Sequence, residues 1–309
     1  MLLRLAPFLF VLLWSTGFLA SKVAVQYAEP ATLMAIRFGI TAALLATAAA
    51  ALRTEWPRGS ALVHSAITGI LIHTAYIGGV LWALRFGMPA GVVAVVVCLQ
   101  PVLTAILAGP LLGERPGLWH WIGLAVGFVG VLLVLSPKVL PLLEGEMGGA
   151  FGVFALGSVI TALLAITLGT LNQKRHGSSG ALVGHTAVQY IAASAVALMI
   201  AVPTETMRVE WTAEFVASLA WLVIVLSIGA IGLLMIIIRA SAMSSVTSLF
   251  YLVPAVTAAM SAFVFGERLE PVQFAGMALV MAAVAAIRLR PAAASVPDRS
   301  PPASASSIR

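Results

Sequence analysis

The chain has 309 residues, of which 61% are hydrophobic and only 9% charged. That leaves too little polar surface to coat a water-soluble globule, so the chain belongs in a bilayer. The net charge of +6 does not mark a nucleic-acid binder, because the basic residues stand singly at the ends of apolar runs, without a basic stripe or clustered aromatics; membrane orientation accounts for them. Cys98 is alone, which excludes an intrachain disulfide and a multi-cysteine metal site.

The first stretch, MLLRLAPFLFVLLWSTGFLASK, carries Arg4 ahead of an apolar run as a secretory signal does. The sequence that follows is equally membrane-like, and removal of a first span would break the repeat set out below. Apolar stretches of about twenty residues, each long enough to cross roughly 30 Å of hydrocarbon, predict ten helices over 5–25, 32–52, 61–84, 89–112, 118–136, 149–171, 182–203, 214–238, 244–265 and 271–289. With the N-terminus inside, Arg4, Arg53, Arg58, Arg115, Lys174, Arg175, Arg239, Arg288 and Arg290 fall on the inner side, against Lys22, Arg85, Lys138, Arg208 and Arg268 outside. This inner excess obeys the positive-inside rule and makes both termini cytoplasmic. Beyond residue 290 the composition turns to Pro, Ala and Ser, which predicts a disordered cytoplasmic tail over 291–309.

Two phrases repeat. Gly113-Glu114-Arg115 and Gly266-Glu267-Arg268 each follow a proline that interrupts an apolar run, Pro101 and Pro254, at the same distance. Thr104 matches Thr257 and Gly123 matches Gly276 in that register; earlier, Gly17 and Lys22 fall opposite Gly169 and Lys174, and Arg37-Phe38 opposite Gln189-Tyr190. The chain therefore reads as a duplication, with a first five-helix unit over 1–137, an outer linker over 138–148 and a second unit over 149–290. Five is odd, so the units would lie inverted in the membrane, Glu114-Arg115 at the inner face and Glu267-Arg268 at the outer.

Trp14-Ser15-Thr16-Gly17-Phe18, Arg37-Phe38 and the doubled proline to Gly-Glu-Arg phrase together resemble the EamA-type branch of the drug/metabolite transporter superfamily. The resemblance implies two inverted five-helix repeats around a central cavity lined by the first, third, fourth, sixth, eighth and ninth helices, and an inner-membrane carrier of small metabolites, often an exporter of amino acids or related compounds. It does not name the solute: similar folds carry amino acids, nucleotide sugars, phosphorylated sugars and toxic cations.

The acids are informative by position. All of them fall in loops or at helix ends, whereas proton pumps and cation exporters use a carboxylate at mid-membrane. Proton coupling, where it occurs here, would rest on a histidine or an interface glutamate. Arg37 in the second helix either snorkels to the outer interface or attracts a solute carboxylate or phosphate together with Lys22. His73 and Tyr76 share a face of the third helix by their spacing; they are packing residues or a polar patch of the cavity, and His73 titrates near neutrality when unperturbed. Gln100-Pro101 and Tyr251 with Pro254 take corresponding positions, where each proline frees a backbone carbonyl; the pair of kinks is structural or a pair of gates. Trp14, Ser15 and Thr16 fill the core or wall the site. Ser158, Thr161 and Ser227 are candidate pocket hydroxyls that could equally satisfy their own backbone. Glu114-Arg115 and Glu267-Arg268 anchor helix ends or act as latches, each residue reaching a neighbouring helix rather than its chain neighbour.

The chain lacks H-E-x-x-H, G-x-S-x-G and a mid-membrane acid pair, so no catalytic residue, metal or cofactor is expected. The expectation is an alternating-access carrier, monomeric or homodimeric, with a small-molecule solute and the lipid bilayer as partners and no nucleic acid. The alternatives are a membrane receptor or scaffold, and a carrier of sugar derivatives, nucleotide-like or drug-like solutes. Trp14, Tyr76, Tyr251 and Gln100 suit a neutral or zwitterionic amino acid better than a multivalent phosphate.

Overall fold

The computed structural model describes residues 2–86, 88, 90–144, 153–177, 181–265 and 269–289. The described residues are mostly helical, and an isolated antiparallel bridge joins Ala28 to Val209. Its helical rods are α1 (Leu2–Ala24), α2 (Pro30–Ala51), α3 (Ser60–Arg85), α4 (Ala90–Val97 then Gln100–Leu112), α5 (Leu118–Glu144), α6 (Val153–His176), α7 (Leu182–Thr204), α8 (Ala213–Ala240), α9 (Met243–Thr247, Ser248–Tyr251, Leu252–Phe265) and α10 (Pro271–Leu289). Seven of the described helices are long and apolar enough to cross a membrane, and shorter apolar helices run over Leu5–Gly17, Ser245–Met260 and Pro271–Ile287.

Local sequence explains the ends. Pro30 opens α2, where a fixed φ and a missing N–H are harmless. Gly113 closes α4 in the left-handed conformation at φ 71°, returning its N–H to Gly109. Thr212 caps α8 by accepting from the Phe215 N–H at 3.2 Å. Helix α5 runs past Pro137 through the expected linker as far as Glu144, and α6 continues to His176, beyond the expected end at 171.

Four interruptions break the described rods. In α3, Ile70–Ala75 is a π-helical turn, and in α8 so is Leu222–Ala230. In α4 the helix breaks at Cys98–Leu99, so that Pro101 sits in the first turn of a new segment, where it is tolerated. In α9 a 3₁₀ turn at Ser248–Tyr251 precedes the segment containing Pro254. The offset from Pro101 to Pro254, 153 residues, carries the α3 interruption onto that of α8 and the α4 break onto the end of the α9 turn.

Packing pairs α2 with α7 and α5 with α10, while α1 lies on α8 and α9 and α6 lies on α3 and α4. Small residues allow the closest approaches, as membrane interiors favour. Ala31, Ala35, Ala42 and Ala49 of α2 and Ala187, Ala193, Ala197 and Ala201 of α7 are buried. Between α5 and α10 a Cβ on Gly276 would stand 2.7 Å from the Gly130 carbonyl oxygen, and one on Gly130 would stand 2.9 Å from that of Gly276. Both glycines are there because the backbones touch.

Loops seal one end of the bundle. Glu205, after α7, accepts from the Ala31 and Thr32 N–H groups at 2.8 and 2.7 Å and from the Thr32 hydroxyl at 2.8 Å, supplying α2 with the cap that Glu29 does not give its own helix. Glu29 instead accepts from the Thr206 N–H at 2.7 Å and hydroxyl at 2.8 Å and from the Met207 N–H at 3.2 Å. The Thr206 hydroxyl and these backbone donors hold the Glu29 carboxyl below its ordinary value. The opposite end is held by cations and one acid: Lys174 donates to the Ile238 and Ser241 carbonyls at 2.8 and 2.7 Å, Arg239 to the Gly177 carbonyl at 2.8 Å, and Glu114 accepts from the Met243 N–H at 2.7 Å.

Candidate functional site

Arg37 is half-buried in α2 and points across the bundle, where its Nε donates to Ser227 Oγ in the π turn of α8 at 3.0 Å. This departs from a snorkelling arginine: the side chain finds a hydroxyl partner inside the protein rather than the interface. The Lys22 side chain lies outside the described residues, so their expected partnership cannot be placed. The Tyr190 hydroxyl of α7 donates to the Ser227 carbonyl at 3.1 Å, a carbonyl whose ordinary helical bond the π turn has displaced. The Tyr190 ring stacks on His73 of α3, centroids 4.1 Å apart with planes 16° apart, and Phe38 closes the group 5.8 Å from each ring. His73 is buried beside the Gln189 side chain and lies within electrostatic reach of Arg37. Among the described residues no carboxylate bonds to Arg37. A proton on His73 would place two positive charges in one dry group, which is costly.

His73 and Tyr76 do not work as one face. The π turn widens the helix between them, so His73 meets Phe38 and Tyr190 while Tyr76 lies near Cys98 at the α4 break. Cys98 is in turn near Tyr251 of α9, so Tyr76, Cys98 and Tyr251 form a second mid-depth group. Beside the two helix breaks, Gln100 Oε1 and Nε2, Thr104 Oγ1, Tyr251 OH and Thr257 Oγ1 are buried with no protein hydrogen-bond partner. Such groups are rare in a finished core, and these stand beside interrupted helices.

Trp14 packs edge-on against Phe250 of α9 at 5.5 Å and tilted against Phe10 at 5.3 Å. Ser15 donates to Val11 O at 2.8 Å, with Val253 O at 3.5 Å just before Pro254. Thr16 donates to Leu13 O and accepts from the Trp221 indole at 2.9 Å. Ser158 and Thr161 are not brought to this region as pocket hydroxyls: each donates at 2.7 Å to its own helix, to Phe154 O and Gly157 O, and Thr161 is exposed. Glu114 reaches a neighbouring helix end as its position suggested, Arg115 is exposed, and Glu267 and Arg268 lie outside the described residues.

Sequence reasoning missed Tyr190 and Gln189 as site residues. Gln189 Nε2 donates to Gln173 Oε1 at 2.9 Å, and its Oε1 is buried without a partner. A signal existed: Gln189-Tyr190 matches Arg37-Phe38 in the duplication, and matched positions meet wherever matched helices pack on each other, as α2 and α7 do.

Residues 4–136 match the EamA-like transporter family. Over 288 residues the chain is 26% identical to the uncharacterized transporter YvbV of Bacillus subtilis, covering 91% of this chain and 89% of that one. The first half of the chain is thus similar to EamA-like transporters. The chain is also 25% identical over 293 residues to the uncharacterized inner membrane transporter YedA of Escherichia coli, covering 92% and 90% of the two chains. It is 29% identical over 286 residues to a protein of the same species named a probable amino-acid metabolite efflux pump, covering 88% and 90%. A solved structure described only as a crystal structure of a protein shares its fold, with a TM-score of 0.74 and 20% identity over 93% of this chain and 97% of the other. With its long apolar helices and these relatives, the chain is a multi-pass protein of the inner membrane and a membrane transporter, not an enzyme.

Proposed function

We propose that the chain is a secondary transporter that exports small metabolites, such as neutral amino acids or related compounds, by alternating access. The observation that carries this reading is the matched set of interruptions in α3 and α8 and in α4 and α9, with unpaired buried polar groups beside the α4 and α9 breaks. A rigid scaffold has no use for four interrupted helices around buried, unpartnered amides and hydroxyls. A carrier uses such breaks to bend, and uses the unpartnered groups to replace a solute's lost hydration.

In this reading the ten rods cross the membrane as two inverted five-helix repeats with both termini cytoplasmic. Support comes from the seven long apolar helices and three shorter ones, and from packing that is preserved when the halves are exchanged: α1 on α8 and α9 answers α6 on α3 and α4. The solute lies between the Arg37 group and the Tyr76, Cys98 and Tyr251 group, its carboxylate toward the arginine and its amine toward Gln100, Tyr251 and carbonyls at the breaks. Trp14 and Phe250 offer an aromatic wall. The relative named an amino-acid metabolite efflux pump supports the same solute class.

The test is counterflow in proteoliposomes with labelled amino acids, sugars and organic cations, with and without a pH gradient. Amino-acid exchange above the protein-free background is the expected result. Absence of flux for every class would overturn the transport reading, and flux of cations or sugars alone would overturn the solute class.

A further inference from the structure

Near the His176 end of α6, the two halves of the chain are joined by polar side chains that the solute site does not use. His64 of α3 and His176 lie ring on ring, centroids 3.5 Å apart and planes 3° apart. Both direct Nδ1 at one atom, Asn172 Oδ1, at 3.0 and 3.1 Å. The Asn172 amide nitrogen donates to the His64 carbonyl at 2.9 Å and to Thr68 Oγ1 at 2.7 Å. With both amide hydrogens so placed, Oδ1 is the acceptor and each imidazole carries its hydrogen on Nδ1. In each ring Nε2 is therefore the position open to a further proton, and both rings are half-buried rather than sealed.

The fold does not demand this group. The offset that aligns Lys22 with Lys174 takes Asn172 to Ala20 and His176 to Ala24, and the offset between the prolines takes His64 to Ala217. Helices α1 and α8, which carry those alanines, pack together as α6 and α3 do. Alanine suffices for the contact on the duplicated side, so the histidines add something other than cohesion.

We propose that the His64 and His176 stack is a proton-operated latch between the two halves: it holds while the pair carries at most one proton beyond the two on Nδ1 and parts when both Nε2 atoms are protonated. Each Nε2 takes its proton from water at that end of the bundle, and nothing is displaced. Two parallel imidazolium rings at this distance repel, and the Asn172 acceptor cannot cancel two charges. The neighbours add to the repulsion or stand aside. Arg175 of α6 lies within electrostatic reach of His176. Lys174 is turned to the Ile238 and Ser241 carbonyls, Arg239 of α8 to Gly177, and His185 of α7 is bonded to Ser65. Glu114, just after α4, is engaged by the Met243 N–H and lies near Lys174. The sign follows from the charges: the stack holds while its rings are neutral and weakens as acid charges both of them.

The latch rests on the proposed movement of the halves, but its titration does not, so the two can fail separately. Histidine ring signals of the full-length protein are followed by NMR between about pH 4.5 and 8.5, with His64→Gln and His176→Gln variants for assignment. Expected are two steps for the pair, separated by about one pH unit or more, with the ring-current shift of stacking lost at the second. In His64→Gln, His176 returns to a single step. In counterflow, the wild-type rate changes about threefold or more between about pH 8 and 5.5, while the double His64→Gln, His176→Gln variant stays within about twofold. Independent single-step titration of both rings in the wild type, or an unchanged pH profile in the double variant, would overturn the latch. Absence of all flux with two-step titration and loss of stacking intact would overturn the transport reading and leave the stack's proton response standing.

Discussion

Arg37 reaches from α2 to Ser227 on α8 with a 3.0 Å bond from Nε to Oγ, so the charge is fixed at one edge and its terminal nitrogens remain for another partner. Lysine has no second edge to offer. Arg37→Lys and Arg37→Gln are expected to lower counterflow of a carboxylate-bearing solute by about tenfold or more, the scale of a charge-assisted hydrogen bond. The corresponding decarboxylated amine should change by less than about threefold. Ser227→Ala, which removes a positioning contact only, should lie between wild type and Arg37→Gln. Equal losses for acid and amine would show that Arg37 holds the fold rather than the solute.

Tyr251 OH and the Gln100 amide have no protein partner, so removing them should not destabilise the protein. Tyr251→Phe and Gln100→Leu are expected to keep or raise the thermal midpoint in detergent, since an unpaired buried polar group costs about 1–3 kcal/mol. Both should weaken solute exchange. A lower midpoint with unaffected exchange would reverse the assignment and make these groups structural.

The contact of α5 with α10 predicts opposite outcomes for two glycines. A Cβ at Gly276 meets Gly130 O at 2.7 Å and Val134 N at 2.8 Å, both backbone atoms, whereas one at Gly232 meets nothing within 4 Å. Gly276→Ala is expected to cost about 1–3 kcal/mol, the range for overpacking, visible as a lower thermal midpoint. Gly232→Ala should match the wild type. Comparable midpoints for the two variants would contradict the close approach.

Glu29 gives the seal between the loops an acid limit. Its carboxyl is held below the ordinary 4.5, first by the Thr206 hydroxyl and then by the backbone N–H groups of Thr206 and Met207. A lowered carboxylate contributes stability that is fully present above the ordinary value and is lost as pH falls through the depressed one. Thermal midpoints of wild type and Glu29→Gln should therefore differ above about pH 5 and converge in more acid solution. A constant difference across that range would show that the carboxylate is not the group responsible.

Much of the scaffold was legible because its causes are local. Pro101 and Pro254 each stand near the start of a helical segment that follows a break or turn, and the doubled Gly-Glu-Arg phrase set the register that joins α3 to α8 and α4 to α9. What escaped depends on contacts distant in sequence. Asn172 meets His64 only because α6 lies on α3, and nothing in either segment's periodicity announces the other. Tyr76 was paired with His73 on the assumption of α-helical phase, which the π turn breaks. Ser158 and Thr161 fell on the right helix, yet a hydroxyl in an apolar helix can bond to the preceding turn, and both do. The linker was placed too early because prolines 137 and 141 read as loop, whereas α5 accommodates them and ends at Glu144.

The π turn in α3 holds one more residue per turn than the helix on either side needs. Passing that slack along the chain, by converting Ile70–Ala75 to ordinary α-helix, would rotate Tyr76–Arg85 by about 100° relative to the preceding segment, the angle of one α-helical residue. Tyr76 would swing away from Cys98 while His73 kept its place against Tyr190. The same exchange in α8 would carry Ser227 past Arg37. Each half thus contains a screw whose single click reorients one face of a helix without breaking it.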